Sequence, residues 1–166
     1  MEGAYWVTPT EPPLPVANVK LAGYLPRFAA YFIDMTLWFT LVLADVLAQP
    51  APRPSERPVI GVDTIILLAL IAIYYPFCWA RGGQTIGMRI VGLRVVRDPD
   101  ASRIGWKAAL LRLFGFWLNG IVLYLGWLWI FVDRRRRGWH DLIARTIVVD
   151  ERSLREFRAR QSTGPS

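Results

Sequence analysis

Two ionisable side chains set inside an apolar run are the residues of this sequence most able to do chemistry. They are Arg27 and Asp34 in G-Y-L-P-R-F-A-A-Y-F-I-D-M-T-L-W-F-T-L-V-L-A-D-V-L, residues 23–47. A helix needs about 20 apolar residues to cross hydrocarbon, and residues 25–44 supply that length with only these two charges. Asp34 is then expected near the bilayer midplane, where an ionised carboxylate costs about 2.5–3.5 kcal/mol on insertion scales. Such a group must face protein, find a partner or stay protonated. The first two outcomes make it a pin for helix packing; the last makes it a proton or cation site. At about 100° per residue, Arg27, Asp34 and Asp45 share one stripe of the helix. Arg27 and Asp34 are roughly 10 Å apart along the axis, so each is expected to pair with another segment. Arg112 is the first candidate partner for Asp34, and Arg27 the second.

A second constellation lies near the other end of the chain. His140, the one histidine, stands beside Asp141 just after the basic run Arg134, Arg135, Arg136 and Arg137. A histidine next to a carboxylate can relay protons. The structural alternative has Asp141 capping the turn after the run and pairing with one of its arginines. Other chemistries find no support. No His, Cys or carboxylate group has metal-ligand spacing, and neither a Gly-x-Ser-x-Gly elbow nor a zinc-protease helix occurs. The stretch R-G-G-Q-T-I-G, residues 81–87, has the glycine spacing of a phosphate loop, but Met88 and Arg89 follow it where Lys and Ser or Thr are required. No cofactor or metal is expected, and the chain is not expected to be an enzyme.

The elements that would position these groups follow from composition. A chain of 166 residues with 54% apolar residues and a net charge of +7 fits membrane spans better than a water-soluble core. The positive charge calls for an acidic partner. Anionic lipid headgroups are the economical choice, because the charge sits beside apolar segments. A pI near 10.2 also suits nucleic acid, but the embedded segments argue against it. Cys78 lies in an apolar run and reads as packing. The N-terminus, M-E-G-A-Y-W, lacks the charged start of a secretory signal, so the first helix is expected to be retained.

Residues 1–22 carry Pro9, Pro12, Pro13 and Pro15 and read as a flexible tail. Embedded segments are predicted at about 25–47, 60–79 and 104–132, with a Pro-rich loop over 49–58. The runs L-R-V-V (93–96) and T-I-V-V (146–149) are the two β-prone stretches and are expected to pair as a small cytoplasmic ribbon. Residues 104–114 place apolar side chains at helical spacing and could lie in the interface. Residues 151–166 read as a basic C-terminal tail. The fold class is thus an all-α membrane protein, with three to four membrane-embedded helices and a two-stranded β ribbon.

L-P-R-F-A-A-Y-F-I-D resembles the first block of the RDD family of bacterial multi-pass membrane proteins, named for one arginine and two aspartates. G-G-Q-T-I-G-M-R-I-V-G-L-R-V-V and R-R-R-R-G-W-H-D-L-I-A-R-T-I-V-V resemble its other two blocks, so the likeness runs over residues 23–149 within a membrane domain of 23–150. The resemblance implies that Arg27, Asp34 and Asp141 are the family's three charged residues, and transport is the role suggested for it. Members often carry Gly-Lys where this chain has Gly87 and Met88; Arg89 would cover that missing charge.

Charge counts set the expected topology. Seven basic residues lie in 81–112 and nine in 134–160, against only Arg53 and Arg57 in the first loop. The positive-inside rule puts the first two groups, and both termini, in the cytoplasm of a bacterial inner membrane. Segment 104–132 must then enter and return, hinging near Asn119 and Gly120; a single straight third span is the alternative. Two functions remain. One is a transport or ion-coupling component that uses Asp34, with Arg27 and Asp141 at its gate. The other is a noncatalytic membrane scaffold, alone or as a homo-oligomer or complex subunit, whose basic face binds anionic lipid or an acidic partner.

Overall fold

The computed structural model of the chain describes residues 19–49, 61–122 and 129–162. These residues are mostly helical and include one two-stranded antiparallel sheet. The Pro-rich stretches at 1–18 and 50–60, expected to be tail and loop, lie outside the described residues.

Helices α1 (Tyr24–Ala48) and α2 (Val62–Gly82) are long and apolar enough to cross a membrane. They run antiparallel. Asp45 accepts a 2.7 Å hydrogen bond from the Thr64 hydroxyl at one end, and Asp34 meets Tyr74 further along. Phe32, Phe39, Leu47, Ile65 and Leu70 stand exposed on their outer faces. Apolar side chains turned outward on a helix of spanning length are suited to lipid, which solvates them without cost.

Gly83 ends α2 in the left-handed region, with φ 69°. A short helix α3 (Ile86–Val91) folds back and leads into β1 (Leu93–Arg97), which pairs antiparallel with β2 (Thr146–Asp150), Val95 opposite Val148. Both faces of this ribbon are buried, as its β-branched residues require. Leu93, Val95 and Val148 pack on Trp79 and Met88; Val96, Ile147 and Val149 pack on Leu154. Between the strands come α4 (Trp106–Ile121), a 3-10 turn at Trp129–Phe131 and α5 (Trp139–Ala144); α6 (Glu151–Ser162) follows β2.

The expected ribbon is present and one residue longer on each strand. Two boundaries differ. Residues 20–22 do not belong to a flexible tail: the Asp150 N–H donates to the Lys20 carbonyl at 2.9 Å and the Ala22 N–H to Val148 at 3.0 Å, so this stretch lines the free edge of β2. Residues 151–162 are likewise a helix, docked through the fully buried Leu154.

Segment 104–132 also differs in detail. Helix α4 runs through Asn119 and Gly120 to Ile121, so the hinge is not there; residues 123–128 lie outside the described residues. At 16 residues, α4 spans about 24 Å, less than a full crossing. Its outer stripe is Trp106, Leu110, Phe114, Trp117 and Ile121, while Arg112 and Asn119 point inward. That inverted polarity suits a helix with lipid outside and polar protein inside. The Trp106 ring lies 6.1 Å from Phe77 of α2, and the Phe131 ring 4.8 Å from Tyr24 of α1. Both ends of the segment therefore meet the sheet end of the helix pair, and a straight third span does not fit. Single cysteines at Ser102 and Ser162, after Cys78→Ala, should react with an impermeant thiol reagent from the same side of the membrane. Labelling from opposite sides would refute this arrangement.

Candidate functional site

Asp141 sits at the third position of α5, and the Gly138 N–H donates to its Oδ2 at 3.2 Å. The carboxylate thus caps the helix it belongs to. It also receives two guanidiniums. Arg27 of α1 donates to Oδ2 at 3.2 Å, and Arg112 of α4 donates to Oδ1. Arg112 further donates to the Thr146 hydroxyl of β2 at 2.7 Å, and Arg27 to the Val148 carbonyl at 3.2 Å. All three charged side chains are at most 4% exposed. Arg112 lies 4.9 Å above the Trp79 ring, which stacks on Phe116. Four elements meet on one carboxylate.

Burial alone would push the Asp141 pKa up, but Arg112, then His140 and Arg27, and the Gly138 N–H pull it down, and it ends well below the usual carboxylate range. His140 stacks on Phe116 with ring centres 4.2 Å apart. Its Nε2 lies 3.5 Å from Asp141. Burial pushes its pKa down to about 3; Asp141 opposes that shift, while Arg112 and Arg27 add to it. Burial thus works against an imidazolium at this position, and the stacked, buried ring is better suited to packing than to a proton relay.

Asp34 has a different task. It is 1% exposed. Its Oδ1 accepts the Gly87 N–H at 2.8 Å and the Tyr74 hydroxyl at 3.1 Å, and the Tyr74 oxygen in turn accepts the Ile86 N–H at 2.8 Å. The Met88 N–H donates to the Thr85 hydroxyl at 3.2 Å, and the Arg89 N–H to the Thr85 carbonyl at 2.9 Å. Of the N–H groups that a helix start leaves open, those of Ile86, Gly87 and Met88 are thus taken, and the carboxylate lies at the positive end of the dipole. Gly87 is required here, since a Cβ would stand 2.0 Å from the Ala30 carbonyl oxygen.

The pairing expected from sequence is overturned. Neither Arg112 nor Arg27 pairs with Asp34; both go to Asp141, because α3 delivers backbone donors to Asp34 first. Asp141 does cap its turn, but its partners are not arginines of the basic run. Arg135 pairs with Asp98 at 2.6 Å, and Arg137 with Asp133 at 3.0 Å and Asp98 at 3.2 Å. Arg136 lies 5.0 Å above the Tyr24 ring. Of the four, only Arg134 is exposed, so the run is not the uniform lipid-facing patch expected. Asp45, bonded to Thr64 and Gln49, ties the far end of α1 to α2. Met88 is buried in the core and Arg89 is exposed beside it. Sequence reasoning missed Tyr74, Thr146 and Trp79; a tyrosine or tryptophan within an apolar span carries no signal that separates a partner from packing. Among the described residues, no group of three or more His, Cys, Asp or Glu could hold a metal ion.

Two helices long and apolar enough to cross a membrane, locked to a small sheet by buried charges, fit an integral membrane protein. The chain belongs to the RDD family, whose family model matches residues 21–145. It is 28% identical over 149 residues to YxaI of Bacillus subtilis (strain 168), an uncharacterized protein, covering 78% of this chain and 97% of the relative. It is 26% identical over 141 residues to YteJ of the same organism, an uncharacterized membrane protein, covering 81% of this chain and 84% of the relative. No solved structure matches it significantly.

Two predictions follow from the site's electrostatics. Asp141→Asn strands two buried guanidiniums and should cost about 3–5 kcal/mol. In detergent, Arg112→Leu and Asp141→Asn should couple by more than about 1 kcal/mol, while Arg112→Leu and Asp34→Asn should be additive; the reverse pattern would refute the assignment. The second concerns pH. Between about pH 3 and 6.5, an unfolded histidine holds a proton that buried His140 lacks. Stability should therefore fall as pH drops from 6.5 to 5, by up to about 1.4 kcal/mol per unit. The Asp141 contribution stays whole in that window, since it is lost only as pH falls below the ordinary carboxylate pKa. His140→Phe should flatten the slope; an unchanged slope would show that His140 is not its source.

Proposed function

We propose that this protein is a noncatalytic membrane scaffold, whose two helices hold a basic sheet-and-helix module against the cytoplasmic face of the membrane. The observation that carries this reading is the use made of the buried charges. Arg27 and Arg112 are both paired with Asp141, and Asp34 is bound to the backbone of α3 and to Tyr74. A group that must take up and release an ion needs access and an alternative partner. Asp34, at 1% exposure, is better suited to fixing a joint than to loading and unloading a cation. That ranks transport second.

The outward charge fits the scaffold. Lys20, Arg97, Arg103, Arg134, Arg145, Arg152, Arg155 and Arg160 are exposed on the sheet end. Each basic group near an anionic surface contributes about 1 kcal/mol. The module's partner is then the acidic inner leaflet, or an acidic segment of a second subunit held beside it, another copy of this chain included. The count of basic residues supports a cytoplasmic location of this end, with both termini, at the inner membrane.

Proteoliposomes distinguish the two functions. Reconstituted wild type should show no proton, sodium or potassium flux above protein-free vesicles, and Asp34→Asn should lower the melting temperature without changing flux. Flux in the wild type that Asp34→Asn abolishes would overturn the scaffold reading in favour of ion coupling.

A further inference from the structure

Strand β1, the loop from β1 to α4 and one face of α6 bring four guanidiniums together around a single carboxylate. That carboxylate belongs to Glu151, the first residue of α6, whose side chain is only 12% exposed. Arg94 of β1 donates to it through Nε and again through Nη2 at 3.0 Å, and Arg155, one turn along α6, donates to its Oε1 at 2.9 Å. Arg158 follows on the same face of the helix, and its Nη2 donates to the Ala101 carbonyl at 3.1 Å. Arg103, from the same loop as Ala101, is exposed and close enough to Arg158 to act on its charge.

The arrangement is held by the fold and not by the charges alone. Ala101 is buried with Val96 and Leu154 and has φ 54°, a left-handed conformation uncommon outside glycine. Its N–H donates to the Arg97 carbonyl at 3.1 Å, and the Arg97 N–H to the Ser102 carbonyl at 3.0 Å. This tight turn presents the Ala101 carbonyl to Arg158. Arg94 is fixed a second time by Gln84, whose Oε1 accepts from Nη2 at 3.0 Å while its Nε2 donates to the Leu93 carbonyl at 2.7 Å. Two of the four guanidiniums therefore stand in place beforehand, and a planar fork already held loses little freedom when it binds.

One carboxylate does not balance four guanidiniums. The neighbouring acids are engaged elsewhere: Asp100 accepts the Ser102 N–H at 3.1 Å, Asp150 the Ser153 N–H at 3.0 Å, and Glu156 pairs with Arg152 at 3.4 Å. Burial and then Arg94 lower the Arg158 pKa; Glu151 opposes them and Arg103 adds to them. Donors are also left open. Both terminal nitrogens of Arg155, and Nε and Nη1 of Arg158, make no hydrogen bond among the described residues. Guanidinium forks match phosphate oxygens in pairs. A surplus of several positive charges favours a phosphomonoester, which carries about −1.5 to −2 near pH 7, over a diester with one negative charge. Arg103 lies shortly before Trp106, whose ring is 6.1 Å from Phe77 at the sheet end of α2, so the cluster stands near the membrane helices as well as facing water.

We propose that Arg94, Arg103, Arg155 and Arg158 form a binding site for a phosphomonoester, carried either by a membrane lipid or by a small soluble molecule. The inference deepens the scaffold reading and rests on its claim that the basic module meets an acidic partner. It assigns that partner one built site in place of a diffuse face.

The test is the melting temperature of the full chain, delipidated in a nonionic detergent, with phosphatidic acid, glycerol 3-phosphate, phosphatidylglycerol or phosphatidylcholine added. Phosphatidic acid at saturation should raise it by about 5 °C, phosphatidylglycerol by much less, and phosphatidylcholine by nothing measurable. A matching rise with glycerol 3-phosphate would support a site for which the phosphate group suffices; a rise confined to phosphatidic acid would support a lipid ligand. Arg103→Gln combined with Arg155→Gln should abolish the rise in a protein that keeps its fold, since Arg103 is exposed and the Arg155 side chain is 76% exposed. Lys20→Gln combined with Arg134→Gln removes the same charge elsewhere on the module and should retain it. Equal rises with phosphatidic acid and phosphatidylglycerol would overturn the monoester assignment. A rise that survives in the Arg103 and Arg155 variant would overturn this site while leaving the basic-face reading in place, and no rise in any arm would overturn the proposal. Ion flux in proteoliposomes, which decides the scaffold reading, is measured independently of all these arms.

Discussion

A carboxylate shared by two guanidiniums in a dry interior is the interaction on which the rest of this structure depends. Asp141 alone could not remain ionised there, since burial works against its charge. Arg27 alone, on an apolar helix, would face the same cost. Together with Arg112 they hold α1, α4 and α5 at one point, and the Thr146 hydroxyl and Val148 carbonyl extend the joint to β2. Such a cluster adds little net stability over an apolar core of equal volume, but it penalises every alternative register by stranding a charge. Specific register is what a two-helix membrane pair lacks otherwise, because lipid solvates its apolar faces as well as another helix would.

A second joint works by different means. Asp34 holds α1 against α2 through Tyr74 and against α3 through the Gly87 N–H, and α3 leads directly into β1. The first joint reaches β2, the second reaches β1, and the two strands close the loop by pairing with each other. Eight residues of α1, from Arg27 to Asp34, therefore fix the position of the whole sheet. The three sequence blocks that resemble the family's pattern are the three parts of this closure: one carries both ionisable groups, the next brings Gly87 and β1, and the last brings Asp141 and β2.

The sequence revealed the parts of this arrangement better than their connections. Apolar length and charge spacing located α1 and α2, because hydrocarbon thickness dictates how many apolar residues a span needs. The ribbon was legible because the V-V and I-V-V runs had no comparable partner elsewhere. The partners of Asp34 were not legible, since one of them is a backbone N–H, which every residue carries and no sequence pattern marks. The basic run misled for a related reason. Four consecutive arginines look alike in sequence, yet Asp98 and Asp133 pair with two of them, and Asp98 does so from far along the chain. The flexible tail assigned to residues 20–22 failed because edge pairing with β2 depends on backbone position, not on composition.

The two aspartates show how position decides the role of one chemical group. Among the described residues, Asp34 accepts hydrogen bonds from neutral donors, an amide and a phenol, at the positive end of a six-residue helix. Asp141 is met by two full charges and retains an excess of one. The first site is charge-poor in cations and the second is cation-rich, so an incoming cation and an incoming anion would be drawn to different depths of the same helix. Arg27 stands nearer the sheet end, where the exposed arginines also stand. The surplus positive charge inside and the basic surface outside thus lie at the same end of the molecule.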